Sequence, residues 1–356
     1  MDIQWINPGL EAEILIFAGD VGGTNTSLAL VGRQNRGFHI MGKFLFKTRS
    51  LTSLTEAVRA AHRMILTELP AARIDRCCVS AAGPVEGNRC VMTNVPWEIR
   101  GSEIEAALEA RTVIINDFLA VSYGIPLLDA ADPAQITPLP HTDGAFGRPR
   151  GNLRAVVGAG TGLGVGFLIE DHGRYIAFPS EGGHTDFAGF DPESRELAAF
   201  IEERTGMVPE AELFISGRGL GNIFAFYEAT RRPGSGAGAE LFAEIEGAPE
   251  ADRPSMISAA AGRDPLFAGM MDLFLRCYGR FASNIAAAFL PSGGLYIAGG
   301  IAMKNEIRFL EDGFMRTFEM NYRPGVRDFL KSVPVYLVKD YGISLLGAAN
   351  AAYSLL

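Results

Sequence analysis

The sequence reads as two α/β domains, and three observations predict this. At 356 residues the chain exceeds what one ordinary core holds and fits two. Its first half runs strand, strand, strand, helix, strand, helix, strand, the order of a mixed sheet with helices packed on it. A strand, a Gly/Thr-rich turn and a second strand at 19–30 (GDVGGTNTSLAL) recur on the same plan at 158–169 (GAGTGLGVGFLI), which suggests a duplicated domain.

The elements follow in order. The apolar run 14–20 (ILIFAGD) is bounded by Val21-Gly22-Gly23-Thr24-Asn25, and a strand at 27–31 follows at hairpin distance. Past the turn Asn35-Arg36-Gly37 lies a third strand, 38–46. Over 53–69 the apolar residues Leu54, Ala57, Val58, Ala61, Ile65, Leu66 and Leu69 fall at helical spacing, and Ser53 with Glu56 predicts a capping box. Strands at 74–81 and 112–116 (TVIIN) follow. Residues 130–152, rich in Pro, Gly, Asp and Arg, have no periodicity and read as a connection near a domain boundary. The pattern then restarts with strands at 154–157, 165–170 and 175–178, the first two separated by the glycine turn 158–164. Helices are expected at 192–205, 217–229 and 266–289, with 231–253 as a flexible surface insertion. Strands at 295–298 and 335–338 precede a closing small-residue helix, 343–356.

Composition narrows the function classes. Hydrophobic residues make up 48% and charged residues 21%, the balance of a soluble globular protein. The opening MDIQWINPGLEAE has no basic cluster ahead of an apolar core, and the run 14–18 is far shorter than a membrane span, so a cytoplasmic protein with no membrane partner is expected. A net charge of −9 with no Lys/Arg block argues against nucleic acid. The four cysteines, Cys77, Cys78, Cys90 and Cys277, lack zinc-site spacing and read as small buried hydrophobes in a reducing compartment.

Both glycine hairpins suit phosphate binding, because glycine lets successive backbone N–H groups approach an anion with no side chain in the way. Neither a Rossmann nor a P-loop fingerprint stands: Leu163 takes the last glycine position of the first, and Phe44 the hydroxyl position of the second. Asp20, just before the first glycines, can hold Mg²⁺ directly or through water, or simply cap the turn. Asn116-Asp117 ends an apolar strand, where open α/β sheets place ligand groups. Asp117 can accept a hydroxyl proton during phosphoryl transfer; taken alone, the pair is more often a helix cap. Ser180-Glu181-Gly182-Gly183-His184 is a tight polar turn suited to gripping vicinal sugar hydroxyls, with Glu212 able to supply a second carboxylate. His184 as a metal ligand lacks a second His or Cys at ligand spacing. Gly299-Gly300, between a strand and a helix, can admit adenine or ribose against bare backbone, or be only a tight turn.

In order, GDVGGTN, TN followed by Trp97, INDF, GAGTGLG, EGGHxDF, ISGxGL and IAGGI resemble the motifs of bacterial-type glucokinases, which share a superfamily with eukaryotic hexokinases, actin and the heat-shock ATPases. The resemblance runs from about residue 14 to the C-terminus. It implies two actin-like (ribonuclease H-like) α/β domains with a central cleft: a small one of 14–127 plus 341–356, and a large one of 128–340. It implies Asp117 as general base on the sugar 6-hydroxyl, with Asn94, Asn116, Asp117, Glu181, His184 and Glu212 lining a glucose site. Gly22, Gly23, Thr24 and Asn25 in one hairpin, with Gly160, Thr161 and Gly162 in the other, would cradle the ATP phosphates. Asp20 would face Mg²⁺ through water, Gly299 and Gly300 would lie near adenosine, and the chain would form a homodimer. Ser180 departs from the glycine often found before Glu-Gly-Gly-His, residues 1–13 and part of 231–253 have no assigned role, and the cysteine-rich zinc segment of the related repressor/kinase branch is absent.

Two other classes compete. A sugar-sensing regulator would bind without phosphorylating, yet the base, the Mg²⁺ carboxylate and both hairpins are intact, and no DNA-binding segment is expected ahead of residue 14. An ATPase machine of the actin or heat-shock type has no use for the Glu181/His184 loop.

Overall fold

A computed structural model describes residues 1–92, 95–340 and 342–356. The chain divides into two compact units, one of residues 1–129, 168–179 and 340–356, the other of 130–167 and 180–339. Segment 168–179, which the sequence reading left in the second half, groups with the first unit.

The first sheet is built from β1 (Asp2–Trp5), β2 (Ile14–Val21), β3 (Asn25–Gln34), β4 (Gly37–Lys47), β5 (Arg76–Ala81) and β9 (Arg111–Asn116), in the order β1-β4-β3-β2-β5-β9. Between β5 and β9 the short strands β6 (Val85–Glu86), β7 (Arg89–Val91) and β8 (Glu98–Arg100) make a small sheet of their own. β2, β3 and β4 form an antiparallel meander, whereas β5 and β9 add in parallel to β2. Asn35 and Arg36 turn the β3–β4 hairpin with positive φ at both positions, the geometry that matches strand twist. The helices α1 (Leu54–Glu68), α2 (Gly101–Leu108) and α3 (Asp117–Gly124) complete this part of the chain. Ser53 caps α1 by accepting the Glu56 N–H, but the reciprocal half of the expected capping box is not made: the Glu56 carboxylate accepts the Thr52 hydroxyl instead.

The N-terminal residues, without a role in the sequence reading, are part of this sheet. β1 pairs antiparallel with β4, Trp5 opposite Gly42. The Trp5 ring lies so close over Gly42 that a Cβ there would come within 2.6 Å of it, and it meets Phe44 edge-on at 5.6 Å.

The second sheet repeats the plan. It contains β10 (Ile136–Pro138), β11 (Leu153–Ala159), β12 (Leu163–Asp171), β13 (Arg174–Ser180), β14 (Gly294–Ala298) and β15 (Val335–Val338), in the order β10-β15-β14-β11-β12-β13. β14 lies parallel to both β11 and β15. The series β13-β12-β11-β14-β15 thus matches β4-β3-β2-β5-β9 strand for strand, the ribonuclease H-like order of an actin-like domain. Its helices include α4 (Pro192–Thr205), α5 (Gly217–Arg231), α6 (Ala237–Gly247), α7 (Arg253–Ala260) and α8 (Pro265–Phe289). The expectation of a flexible insertion at 231–253 is corrected by α6: Phe242 and Ile245 are fully buried in the core, and Phe242 stacks on Phe224 at 4.4 Å. Ring burial of this size holds the segment down despite its Gly- and Pro-rich flanks.

The four cysteines are free and buried, and burial pushes the Cys77 thiol up to about 12. No helix among the described residues is long and apolar enough to cross a membrane.

The C-terminal helix, Ile343–Leu355, returns to the first unit and packs on α3. Its small residues permit close approach. A Cβ at Gly347 would overlap the Ala120 carbonyl oxygen and lie 2.8 Å from the Gly124 nitrogen, both main-chain atoms that cannot swing aside. Asn350 Nδ2 donates to the Tyr123 carbonyl at 2.8 Å on the same interface. Gly347→Ala is therefore expected to destabilise the protein by about 3 kcal/mol, read as a lower urea midpoint; an unchanged midpoint would contradict this packing.

Candidate active site

In the first unit the parallel strands β2, β5 and β9 end together. Asp20 is in register with Ser80, and Ala81 with Asn116, so the polar strand ends are neighbours along one edge. This is where a parallel sheet offers its ligand groups. β9 passes directly into α3: Asn116 keeps an extended backbone, and its side-chain oxygen accepts the Phe118 N–H at 2.8 Å, an N-cap. Asp117 Oδ1 shares that donor, also at 2.8 Å. The cap and the candidate base are thus adjacent residues with separate jobs. Burial raises the Asp117 carboxyl above the usual aspartate range against the lowering effect of the Phe118 N–H, and the nearby charge of Asp20 raises it further.

The carboxylate of Asp20 is held at both oxygens. Oδ1 accepts the Ser80 hydroxyl at 3.0 Å, and Oδ2 accepts the Ser344 hydroxyl at 2.6 Å. Both donors are neutral, and no Lys or Arg among the described residues pairs with Asp20. No group of three or more His, Cys, Asp or Glu side chains among the described residues forms a cage for direct chelation. A single oriented carboxylate fits a hydrated Mg²⁺, which keeps most of its water, better than a dehydrated ion.

The adjoining turn at Gly22, Gly23 and Thr24 is closed by Gly22 N–H donating to the Asn25 carbonyl at 3.0 Å. Thr48 ties it down from the end of β4: its hydroxyl donates to the Gly22 carbonyl at 2.8 Å and its N–H to the Thr24 carbonyl at 3.0 Å. Lys47 Nζ donates to Asn25 Oδ1 at 2.9 Å. Sequence reading did not single out Thr48, whose partners lie more than twenty residues away. Asn94 lies outside the described residues.

In the second unit a second group converges on the β11–β12 turn. Gly160 N–H donates to the Gly162 carbonyl at 2.9 Å, and Gly217 N–H, at the start of α5, donates to the Gly160 carbonyl at 2.8 Å. A Cβ at Gly160 would meet nothing within 4 Å, so the turn presents open backbone there. At Gly162 a Cβ would come within 2.6 Å of Glu212 Oε2, which also accepts the Leu163 N–H at 3.0 Å. Glu212 is buried, with Arg218 Nη1 3.7 Å from its other oxygen. The glycine turn with Thr161 at its tip and the candidate sugar carboxylate are therefore in direct contact.

The Glu181–His184 turn packs on the same strand. A Cβ at Gly183 would overlap the Leu163 carbonyl, which makes glycine obligatory there. Ser180 accepts the Gly182 N–H on its hydroxyl at 3.0 Å and so caps the turn. His184 Nδ1 lies 3.1 Å from Glu210 Oε2, and Nε2 lies 3.9 Å from Glu181 Oε2. The Glu210 hydrogen bond raises the imidazole above its usual range, helped by the charges of Glu210, Glu212 and Glu181. Glu210 is the partner that sequence reading missed; Glu181 itself is almost fully exposed. Gly299 sits at the end of β14 with φ 95°, and a Cβ there would overlap the Ala159 carbonyl at the end of β11. Its glycine is required by that approach, and Gly300 begins the short helix that follows.

The glucokinase family profile matches residues 17–355. A glucokinase of Nostoc punctiforme is 34% identical over 352 residues, covering 95% of this chain and 98% of the relative. One of Hahella chejuensis is 32% identical over 339 residues, covering 94% and 96%. Among solved structures, a glucokinase from an Antarctic psychrotroph superposes with a TM-score of 0.78 at 26% identity, covering 95% of this chain and 98% of the other.

Proposed function

The chain belongs to the glucokinase family, and from that premise we propose that it transfers the terminal phosphoryl group of ATP to the 6-hydroxyl of D-glucose, with Asp117 as the general base. The supporting observation is the Asp117 carboxylate itself: partly buried, raised above the ordinary aspartate range, and set at a strand end beside Asp20. A base with a raised pKa takes a hydroxyl proton more readily than an ordinary carboxylate does.

In this reading Asp117 accepts the proton as the sugar 6-oxygen attacks the terminal phosphorus, and ADP departs. No covalent enzyme intermediate is needed, because phosphoryl transfer rests on positioning and charge stabilisation. Asn94, Asn116, Glu181, His184 and Glu212 would bind the sugar hydroxyls. Gly22, Gly23, Thr24 and Asn25, with Gly160, Thr161 and Gly162, would bind the phosphates, and Gly299 and Gly300 would lie by the adenosine. Asp20 would hold Mg²⁺ through water, and the ion would supply charge that neutralises the phosphates. The setting is cytoplasmic, and the working form a homodimer.

The pH profile tests the base. Asp117 must be deprotonated to accept a proton, so kcat for glucose phosphorylation falls as pH drops through its raised pKa. The acid limb is expected above about 4, the range of an unperturbed aspartate. The residual activity of Asp117→Asn should lack that limb. A wild-type limb at or below pH 4, or the same limb in the variant, would contradict the assignment.

A further inference from the structure

We infer that Ser344, in the first turn of the C-terminal helix, is a positioning residue that fixes the Asp20 carboxylate for the metal-loaded nucleotide. The inference rests on the reading of Asp20 given above and deepens it.

A serine at a helix start commonly serves that helix's own N–H groups, and does so from the N-cap position. Ser344 does otherwise. Its hydroxyl donates at 2.6 Å to Asp20 Oδ2, a residue 324 positions away in the chain, while the helix N-cap is Gly342, which has no side chain to offer and whose own N–H donates to Asp340 Oδ1 at 2.7 Å. From the other side, Ser80 in β5 donates to Asp20 Oδ1 at 3.0 Å and to the Gly19 carbonyl at 3.2 Å. Two donors on two different elements hold the two oxygens of one carboxylate, which leaves it a single orientation. Ser80 is set by sheet register, opposite Asp20 in the ladder. Ser344 is set by the helix, which is seated on α3 through Gly347 and Asn350. α3 begins at Asp117, so the same helix supports the candidate base and orients the candidate metal carboxylate.

An outer group that orients a metal-facing carboxylate changes affinity for the metal complex more than affinity for the free ligand. The test is calorimetric binding of a non-hydrolysable ATP analogue to the full-length protein, with saturating Mg²⁺ and again with EDTA. Wild type, Ser344→Ala, Ser344→Thr and Asp20→Asn are compared, and each melting temperature is recorded.

Ser344→Ala is expected to weaken Mg²⁺-loaded analogue binding by about fivefold or more, the effect of one lost hydrogen bond to a charged group. Metal-free binding should stay as in wild type, the melting temperature should fall by no more than a few degrees, and Ser344→Thr, which keeps the hydroxyl, should restore the affinity. If Ser344→Ala binds as wild type does while Asp20→Asn loses the Mg²⁺-dependent gain, Asp20 keeps its role and the role of Ser344 is overturned. Equal weakening with and without Mg²⁺, together with a larger fall in melting temperature, also overturns it, since the hydroxyl then serves the fold alone. If Asp20→Asn retains the full Mg²⁺-dependent gain, the reading of Asp20 fails and this inference goes with it.

Discussion

Asp117→Ala is expected to lower kcat for glucose phosphorylation by about 10³-fold, within the range a positioned general base supplies. Glucose affinity should survive, because the other side chains proposed to bind the sugar are untouched. The loss should be catalytic and not structural. A carboxyl whose folded pKa is raised contributes stability that is present below its unfolded pKa and lost as pH rises through the folded value. At neutral pH the charged Asp117 therefore costs stability, and removing it relieves that cost. The helix keeps its cap, since Asn116 Oδ1 still accepts the Phe118 N–H. Steady-state kinetics beside a thermal melt check both halves; near-wild-type turnover in the variant would remove Asp117 from the mechanism.

Gly183→Ala should cost about 10²-fold in kcat/KM for glucose, the size expected when a binding group is displaced by about 1 Å. The added methyl would overlap the Leu163 carbonyl, a main-chain atom that cannot simply swing aside as a flexible side chain does. Either the Glu181–His184 turn lifts away or Leu163 moves, and Leu163 N–H is the donor that holds Glu212. Both routes disturb side chains proposed to bind the sugar. Gly160→Ala is the control: its methyl meets nothing within 4 Å, so the fold tolerates it and any loss should appear in the KM for ATP. Wild-type glucose kinetics in Gly183→Ala would detach this turn from sugar binding.

Much of the fold was legible because its elements carry strong periodicity. α4 spans the expected residues, α8 starts one residue earlier than expected, and the matching order of the two sheets was foreshadowed by the two glycine hairpins. The elements missed are those with weak local signals. β1 is four residues long, and its reason for pairing is Gly42, a distant residue that makes room for the Trp5 ring. In α6 the spacing of Phe242 and Ile245 was available in the sequence, but Gly, Pro and charged neighbours masked it. Tertiary packing decided both cases.

The candidate site divides in the same way. Asp20 and Asn116-Asp117 could be picked out as candidates because strand ends in a parallel sheet collect functional groups. Their supports could not. Ser80, Ser344, Thr48 and Glu210 carry no local signal of a role, and only the fold brings them to Asp20, the first hairpin and His184. A sequence pattern marks a candidate ligand-facing residue more readily than the residue that holds it in place.

The most direct measurement incubates the purified protein with Mg·ATP and a panel of hexoses, following ADP and sugar phosphate together. The account predicts ADP formed one-for-one with glucose 6-phosphate, and faster with glucose than with mannose, fructose or glucosamine. ADP released without sugar phosphate, or glucose bound with no turnover across the panel, would contradict it.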